Sequence, residues 1–308
     1  MSQEIILRTE NLGKHFKNRW AAQDINLEVR RGDVFGFLGP NGAGKSTTIR
    51  MILSLIKPTT GVVELFGHRL NASRERALQN VAGIVEKPDF YLYLSAYRNM
   101  QIAGSLTLGR TPDDKKIMGT LELVGLAERA RDRVKTYSHG MKQRLGIAQA
   151  LLCDPQLIML DEPTNGLDPQ GMKEVRELIV RLSGERGITV FLSSHLLNEV
   201  EQVATRMAII NKGTMVVQGN VEELLQATAN KILLNAEPKK KALTLLEKMK
   251  HVTVPALSDE GIIATIEPKN IPAVVAALVE AKCKVFSVQP KHSLEEYFLS
   301  VTQNGTDV

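Results

Sequence analysis

The chain has 308 residues, of which 43% are hydrophobic, so it is long enough for one large domain and a smaller one. Its net charge of +5 is spread along the chain, which disfavours a nucleic-acid-binding protein and is compatible with an anionic membrane surface. The two cysteines, Cys153 and Cys283, lie far apart in apolar surroundings, so we expect buried thiols and a reducing compartment.

The N-terminal segment lacks a basic region followed by an apolar core, so we expect no signal peptide. No uncharged apolar run approaches the ~20 residues that a membrane-spanning helix needs. If the protein works at a membrane, another chain must therefore supply the spanning part.

The first stretch, residues 4–34, alternates apolar and polar residues in short runs. We predict strands over Ile5–Thr9 and Ile25–Val29 and a turn at residues 31–33, as parts of an antiparallel layer. Further along, Val62–Phe66 followed by Gly67 predicts an edge strand of the same layer.

Between these strands lies a phosphate-binding loop of the form G-x-x-x-x-G-K-[ST]. The buried strand Val34–Leu38 precedes the loop, and a helix from near Lys45 to Leu55 follows it. Glycines let successive amides point at a phosphate, and the helix dipole favours negative charge. We expect Lys45 to reach the β- and γ-phosphates and Ser46 to ligate Mg²⁺; the alternative is a glycine-rich turn with an incidental lysine. The loop residues are Gly39, Pro40, Asn41, Gly42, Ala43, Gly44, Lys45, Ser46 and Thr47.

Residues 83–87 predict the end of a strand, and the pattern then becomes helical over about 90–135, which indicates a small helical subdomain. Ser95 can cap a helix through about Gly104, and Asp113 can cap one that runs to Val124. A further helix is predicted to begin near Ser138 and to end near Leu152.

The apolar run Leu157–Leu160 predicts a buried parallel strand that delivers two carboxylates at its C-terminal end. There Asp161 is placed to hold Mg²⁺, and Glu162 can accept a proton from a water that attacks the γ-phosphate. The alternative for Glu162 is a solvated carboxylate. The α/β alternation then continues through a helix over 169–183, a strand over 188–192, a helix over 195–203 and strands over 207–210 and 215–217.

Past about residue 225 the pattern changes, so we predict domains over 1–225 and 226–308. The second region reads as β-α-β-β-α-β, a ferredoxin-like α+β order. An amphipathic helix, Leu294–Leu299, is predicted to precede a polar tail.

Taken in order, these motifs resemble those of the nucleotide-binding subunit of an ATP-binding cassette (ABC) transporter. The resemblance covers residues 4 to about 225. It implies a P-loop fold with a mixed core sheet, an antiparallel β layer and a helical subdomain, and ATP hydrolysis with Mg²⁺ coupled to transport. It also implies that Asp168 crosses a dimer interface, that His195 contacts the γ-phosphate and that Phe16 stacks on adenine. The signature that closes over ATP bound by a second subunit is Ser138, His139, Gly140 and Met141.

The aromatic contact to adenine has two candidates, because Trp20 lies close to Phe16 in the sequence. The resemblance favours Phe16, and we interpret Trp20 as a structural aromatic.

Two positions depart from the family pattern. Glu86 stands where the family usually has glutamine, and a carboxylate there favours Mg²⁺ but repels the γ-phosphate. We hypothesise that Glu86 binds the metal; a salt-bridged loop carboxylate is the alternative. In the signature, His139 replaces a glycine, and it is either a donor near the nucleotide or a surface side chain.

In the particular residues of its motifs, the chain is similar to ABC subunits paired with ABC-2-type export permeases of the bacitracin and antimicrobial-peptide resistance group. This similarity implies a peripheral protein at the cytoplasmic membrane face, with a permease docked on residues 90–135 through Tyr91, Tyr93 and Tyr97, unless these are packing aromatics. It also implies an ATP-dependent dimer with a second copy or a related subunit. The alternatives are a soluble ABC ATPase acting on ribosomes or DNA, and a regulatory module without activity.

Overall fold

The computed structural model describes residues 4–86, 88–226 and 231–290. The chain divides into two compact units, of which the first ends at Gly219 and the second begins at Asn220. The predicted domain boundary between residues 225 and 226 lies a few residues further along and stays a prediction.

Up to residue 226 the chain starts with four strands and then mixes helices with strands. The strands are β1 (Ile5–Phe16), β2 (Arg19–Ile25), β3 (Glu28–Arg30), β4 (Val34–Leu38), β5 (Thr60–Leu65), β6 (His68–Arg69), β7 (Val81–Ile84), β8 (Leu157–Asp161), β9 (Thr189–Ser194), β10 (Arg206–Asn211) and β11 (Thr214–Asn220). The helices are α1 (Lys45–Ile52), α2 (Arg74–Leu78), α3 (Ala96–Leu108), α4 (Asp114–Leu123), α5 (His139–Leu151), α6 (Pro169–Arg186), α7 (Leu197–Glu201) and α8 (Val221–Gln226).

The core sheet has the strand order β11-β10-β4-β9-β8-β7. Neighbouring strands from β10 to β7 in this order are parallel. Every residue of β4 and β9 is buried, which explains the uninterrupted apolar character of β4 and the apolar centre of β9, because both faces of such sheets are covered. The carboxyl ends of β4, β8 and β9 meet at one edge, where parallel sheets carry their binding sites.

The antiparallel layer has the order β2-β1-β5-β6, with β3 also paired to β1. The prediction that Val62–Phe66 forms an edge strand is wrong, because β5 lies between β1 and the two-residue strand β6. The chain reverses tightly through Phe66 and Gly67, which both have positive φ, and this brings β6 back onto β5.

The predicted strand Ile25–Val29 is interrupted in the structure. The Thr9 hydroxyl donates to the Ile25 carbonyl and accepts from the Leu27 amide, both at 2.8 Å. The backbone therefore leaves the ladder at Ile25 and resumes as β3 at Glu28.

Three predicted helix N-termini are confirmed by their caps. Ser95 accepts from the Arg98 amide, Asp113 from the Lys116 amide and Ser138 from the Met141 amide.

Several predicted ends are displaced. Helix α3 continues past Gly104 to Leu108, where Gly109 has φ 68, and α1 ends at Ile52, before Ser54 at φ 57. Strand β7 ends at Ile84, while Lys87 lies outside the described residues.

The second unit confirms the predicted β-α-β-β-α-β order. It contains β12 (Lys231–Glu237), α9 (Lys239–Glu247), β13 (Val252–Leu257), β14 (Ile262–Ile266), α10 (Ile271–Glu280) and β15 (Lys284–Pro290). The sheet order is β13-β14-β12-β15 with antiparallel pairs throughout, which is the ferredoxin-like arrangement. Alternate residues of β12, Ile232, Leu234 and Ala236, are buried in its aliphatic core. The predicted helix Leu294–Leu299 lies outside the described residues.

Two expectations from composition can be checked. Cys153 and Cys283 are free thiols; Cys283 is buried as expected, whereas Cys153 is only partly buried, and this burial raises the pKa of its thiol. Within the described parts of the chain, no helix is long and apolar enough to cross a membrane.

Candidate active site

The phosphate-binding loop joins the buried strand β4 to α1, as predicted. Lys45 is 5% exposed, and its Nζ donates to the Gly39 carbonyl at 2.7 Å and the Pro40 carbonyl at 3.3 Å. Gly42 and Gly44 have φ of 80° and 111°, a region that side chains disfavour. A Cβ on Gly44 would lie 2.3 Å from the Ala21 carbonyl oxygen, so β2 packs too closely for any other residue.

The first turn of α1 has no side-chain cap, since its N-cap residue is Gly44. Its amides and the positive end of the helix dipole are therefore suited to an anion. A cavity of 240 Å³ opens beside this turn. The cavity is lined by Arg19, Ala21, Asn41, Gly42, Gly44, Lys45, Ser46, Thr47, Glu162 and Asn165.

Glu162 lies directly after β8 and contacts two cationic or titratable groups. Its Oε1 is 3.1 Å from Lys45 Nζ, and its Oε2 is 2.7 Å from His195 Nδ1. His195 follows the last residue of β9, so three neighbouring strands bring these side chains together. This arrangement places a carboxylate and an imidazole beside a phosphate-binding loop, and both are side chains that can act as general acids or bases.

The backbone around the two carboxylates is fixed by Ser193 at the end of β9. Its hydroxyl donates to Asp161 Oδ1 at 2.5 Å and accepts from the Glu162 amide at 2.9 Å. Glu162 itself has φ 50, an uncommon conformation for a residue with a side chain. Such strain is typical of functional positions that the surrounding structure holds in place.

The predicted helix His195–Val203 begins later than expected, at Leu197. The Ser194 hydroxyl accepts from the Leu196 amide at 2.9 Å, which bends the chain between β9 and α7. His195 therefore lies on this bend and is partly exposed.

The two aromatic candidates lie on opposite faces of the β1–β2 hairpin. Phe16 pairs with Arg19, and His15 pairs with Trp20. Directly paired residues share a face of the sheet, so Phe16 is on the side of Arg19, which lines the cavity. The ring of Trp20 contacts His15 edge-on at 5.0 Å. This geometry is consistent with Phe16 as the adenine contact and Trp20 as structural.

Glu86 forms an ion pair with Arg50 of α1, and its side chain is 71% exposed. This is the salt-bridged carboxylate of the alternative interpretation. The residue has φ 74 and follows β7 at the same edge of the sheet as Asp161. Its metal-binding role stays a prediction.

The predicted signature residues 138–141 do not line the cavity of their own chain. Ser138 and His139 are exposed, and His139 Nδ1 is 3.1 Å from the Gly166 carbonyl oxygen. Asp168 caps α6 by accepting from the Gly171 amide at 3.1 Å. A Cβ on Gly140 would lie 3.3 Å from Gly171 Cα, so the N-termini of α5 and α6 abut and present one exposed surface.

For a metal ion, the site offers oxygen atoms rather than a protein cage. In the described residues, no group of three or more His, Cys, Asp or Glu residues is arranged to hold a metal ion. Asp161 and the Ser46 hydroxyl are hard oxygen donors of the kind that Mg²⁺ prefers when it also binds substrate phosphates. These residues therefore fit Mg²⁺ bound together with a nucleotide.

Sequence reasoning did not single out several residues of the site. Arg19 and Asn165 line the cavity, and Ser193 donates to the Asp161 carboxylate and accepts from the Glu162 amide. The serine pair before His195 was a usable signal, because hydroxyls at strand ends commonly bond to neighbouring backbone. No local pattern marks Arg19, whose position depends on the hairpin register.

Comparison with known proteins identifies the family. A family model described as "ABC transporter" matches residues 22–165. The chain is 39% identical over 298 residues to the uncharacterized ABC transporter ATP-binding protein YhcH of Bacillus subtilis (strain 168), covering 96% of each chain. It is also 39% identical over 303 residues to the bacitracin transport ATP-binding protein BcrA of Bacillus licheniformis, covering 98% of each.

Among solved structures, the chain is similar to cbiO1 from Clostridium perfringens, part of the ABC transporter complex cbiONQ. The TM-score is 0.66 at 26% sequence identity, over 80% of this chain and 96% of cbiO1. The two relatives YhcH and BcrA are 39% identical to the chain over 96% and 98% of their own length, and the phosphate-binding loop lies inside the segment that the family model matches. The chain therefore belongs to the ABC transporter family, as one of its ATP-binding proteins.

Proposed function

We propose that this ATPase works as a head-to-tail dimer in which each ATP lies between the phosphate-binding loop of one copy and the Ser138 surface of the other. The support is the separation seen within one chain. The loop cavity is lined without any of residues 138–141, and Ser138, His139 and Asp168 are exposed. The N-terminus of α5 begins at the exposed Ser138 and is suited to contact the phosphates of a nucleotide held elsewhere, whereas Asp168 caps the neighbouring α6 with its carboxylate.

In the reaction, Glu162 is the general base. Its carboxylate accepts a proton from a water molecule as the water oxygen attacks the γ-phosphorus and the bond to the β,γ-bridging oxygen breaks, so that ADP leaves. Lys45 neutralises the β- and γ-phosphates, and His195 stabilises charge that develops on the γ-phosphoryl group. The observation that carries this proposal is the pair of contacts from one carboxylate, 3.1 Å to Lys45 Nζ and 2.7 Å to His195 Nδ1.

Magnesium would be held by Ser46 and Asp161, with Glu86 as a third oxygen donor. When bound, the ion supplies positive charge beside the β- and γ-phosphates. Ser193 keeps Asp161 in place by donating to its Oδ1 at 2.5 Å. The backbone of the phosphate-binding loop completes the phosphate cradle; the residues concerned are Gly39, Pro40, Asn41, Gly42, Ala43, Gly44 and Thr47. Phe16 contacts the adenine ring.

The partner in the membrane is proposed to be an ABC-2-type export permease, with this protein on the cytoplasmic face. Two observations support export of an antimicrobial peptide. One is the 39% identity to a bacitracin transport protein over 98% of both chains, and the other is the similarity of the motif residues to those of the resistance exporter group. The permease would dock on residues 90–135, where Tyr91 and Tyr93 are 50% and 69% exposed. Tyr97 instead packs under Arg131, whose guanidinium lies 4.2 Å from the ring centroid.

The test is ATP hydrolysis by Glu162→Gln beside a matched change, Glu185→Gln, on the exposed end of α6. We expect Glu162→Gln to lower kcat at least about 100-fold while ATP binding persists, since an amide cannot take the proton. ATP should then convert the variant from monomer to dimer in size-exclusion chromatography. Turnover equal to that of Glu185→Gln would overturn the base assignment, and a monomer at saturating ATP would overturn the dimer.

A further inference from the structure

A buried polar cluster lies behind the candidate active site. The Thr164 hydroxyl donates to Glu199 Oε2, and Arg176 Nη1 lies 3.5 Å from Glu199 Oε1. Thr164 is 6% exposed and Glu199 is 9% exposed. Both oxygens of a nearly inaccessible carboxylate are therefore occupied by protein groups, one neutral and one charged.

The three residues come from three elements that surround the site. Thr164 lies in the turn after β8, two residues beyond Glu162; Arg176 lies on α6, which begins after Asp168. Glu199 lies on α7, four residues beyond His195. The Glu199 carboxylate thus joins the segments that carry the two reactive side chains to the helix whose N-terminus is part of the exposed Ser138 surface.

Besides the bonds of Ser193 to Asp161 and to the Glu162 amide, two side-chain contacts connect the segments of Glu162 and His195. One connection is the 2.7 Å contact between the two side chains, which are 20% and 29% exposed. The other is the buried bond between Thr164 and Glu199. Water competes with the first contact but is largely excluded from the second, and a hydrogen bond to a buried charge is among the stronger ones.

We propose that Glu199 is a positioning residue for hydrolysis: through Thr164 it fixes the His195 segment against Glu162, and through Arg176 it ties both to α6. The inference rests on the proposed roles of Glu162 and His195. Glu199 is 9% exposed and its two oxygens contact Thr164 and Arg176, so it acts through Glu162 and His195 and not on ATP. Loss of the buried bond lets the bend at Ser194 and Leu196 relax, and the imidazole then spends less time at the carboxylate.

The first measurement compares two substitutions of Thr164 in the full chain. Thr164→Val keeps the shape of the side chain and removes the donor, whereas Thr164→Ser keeps the donor. We expect Thr164→Val to lower kcat about tenfold with KM for ATP nearly unchanged, because a bond of this kind corresponds to about one decade in rate. Thr164→Ser should retain most of the wild-type kcat. Equal kcat values for the two variants would overturn the proposal.

The second measurement separates positioning from general destabilisation. The ¹⁵N resonance of His195 Nδ1, assigned with His195→Gln, reports its hydrogen bond to Glu162 in the chain without nucleotide. We expect Thr164→Val and Glu199→Gln to shift this resonance. A His195 resonance that stays in place in both variants would overturn the proposal.

The control is Asp33→Asn. Asp33 is buried, and its Oδ2 lies 3.6 Å from Arg206 Nη1 at the amino end of β4, the opposite end from the phosphate-binding loop. This variant should lower Tm yet leave both kcat and the His195 resonance unchanged. A change in kcat as large as that of Thr164→Val would overturn the proposal, since loss of any buried polar contact would then suffice. Normal turnover by Glu162→Gln, in contrast, would count against the proposed reaction itself.

Discussion

Helices α1 and α5 both begin where we propose that ATP binds, but they begin in different ways. Helix α1 starts at the buried Lys45, after a glycine in a left-handed conformation and without a side-chain cap. Helix α5 starts after the exposed Ser138, whose hydroxyl accepts from the Met141 amide at 3.2 Å. The first N-terminus is enclosed by its own chain, and the second is presented to solvent.

The difference shows how the work of binding is divided. Around α1, the close approach of Ala21 and the contact from Glu162 fix the loop before any ligand arrives. Around α5, the helix start is held by its cap, by the contact of His139 with the Gly166 carbonyl oxygen and by its contact with α6. A preorganised site loses little entropy on binding, whereas an exposed one becomes useful only when a second surface closes over it.

The largest effect is expected from removal of the positive charge of Lys45 at the start of α1. Lys45→Met should lower kcat/KM for ATP by about 10³ or more, because a buried cation facing the transferred phosphoryl group is lost. Steady-state ATPase assays measure this, with the exposed Lys57→Met as the matched control. Activity within tenfold of the control would show that the loop does not bind the phosphates.

A mixing experiment tests whether the two helix starts act in different copies. Lys45→Met and Ser138→Arg are each expected to be inactive alone, since every site in either homodimer lacks one half. In a mixed dimer one site combines the intact loop of the Ser138→Arg chain with the intact Ser138 of the other. Mixing should therefore restore ATPase activity.

Thermal melts of each chain provide the control for folding in this experiment. If both chains are folded and the mixture stays inactive, the two halves do not come from different copies.

Glu86 lies beside the phosphate-binding site at the start of α1, and its substitution tests whether it contributes to metal binding there. Glu86→Gln should raise the Mg²⁺ concentration for half-maximal hydrolysis by a few-fold, since a charged oxygen donor is lost at a largely exposed position. Arg50→Met, which frees the same carboxylate, should shift the midpoint the other way. Superimposable titrations of wild type and Glu86→Gln would leave only the ion pair with Arg50 as the role of this residue.

The smallest effect is expected just before α5. The buried Tyr137 hydroxyl donates to the Arg129 carbonyl at 2.7 Å, and burial raises the pKa of Tyr137 to about 12. The unfolded chain loses this proton near its ordinary pKa of 10, so the associated stability is complete below pH 10 and is lost as the pH rises towards 12.

Tyr137→Phe should cost about 1 kcal/mol of unfolding free energy at pH 8 and weaken the dependence of stability on pH between 10 and 12. Urea melts across this range measure both effects. Parallel stability profiles for wild type and Tyr137→Phe would contradict the assignment.

Much of the cassette could be predicted because its signals are local. The apolar runs of β4 and β8, and the capping residues Ser95, Asp113 and Ser138, each act on backbone within a few positions. The predicted edge position of β5 was wrong because β6 is only two residues long and carries no periodic pattern.

The contacts of the site could not be predicted in this way, because they join residues that are far apart in the sequence. Arg19 reaches the cavity through hairpin register, and Glu199 meets Thr164 across 35 positions of sequence. A window of the length used to recognise a helix or strand does not contain both partners of such a contact. The long-range part of the site is therefore visible only once the sheet has brought its strand ends together.

The positive φ of Glu162 has a consequence for how the protein can evolve. A side chain in this conformation destabilises the fold by roughly 1–2 kcal/mol relative to glycine. Glycine at position 162 would relieve this strain, but it would also remove the 3.1 Å contact with the buried Lys45 and, on the proposed role of Glu162 as general base, abolish hydrolysis. The proposed role in hydrolysis thus accounts for a strained acidic residue at this position.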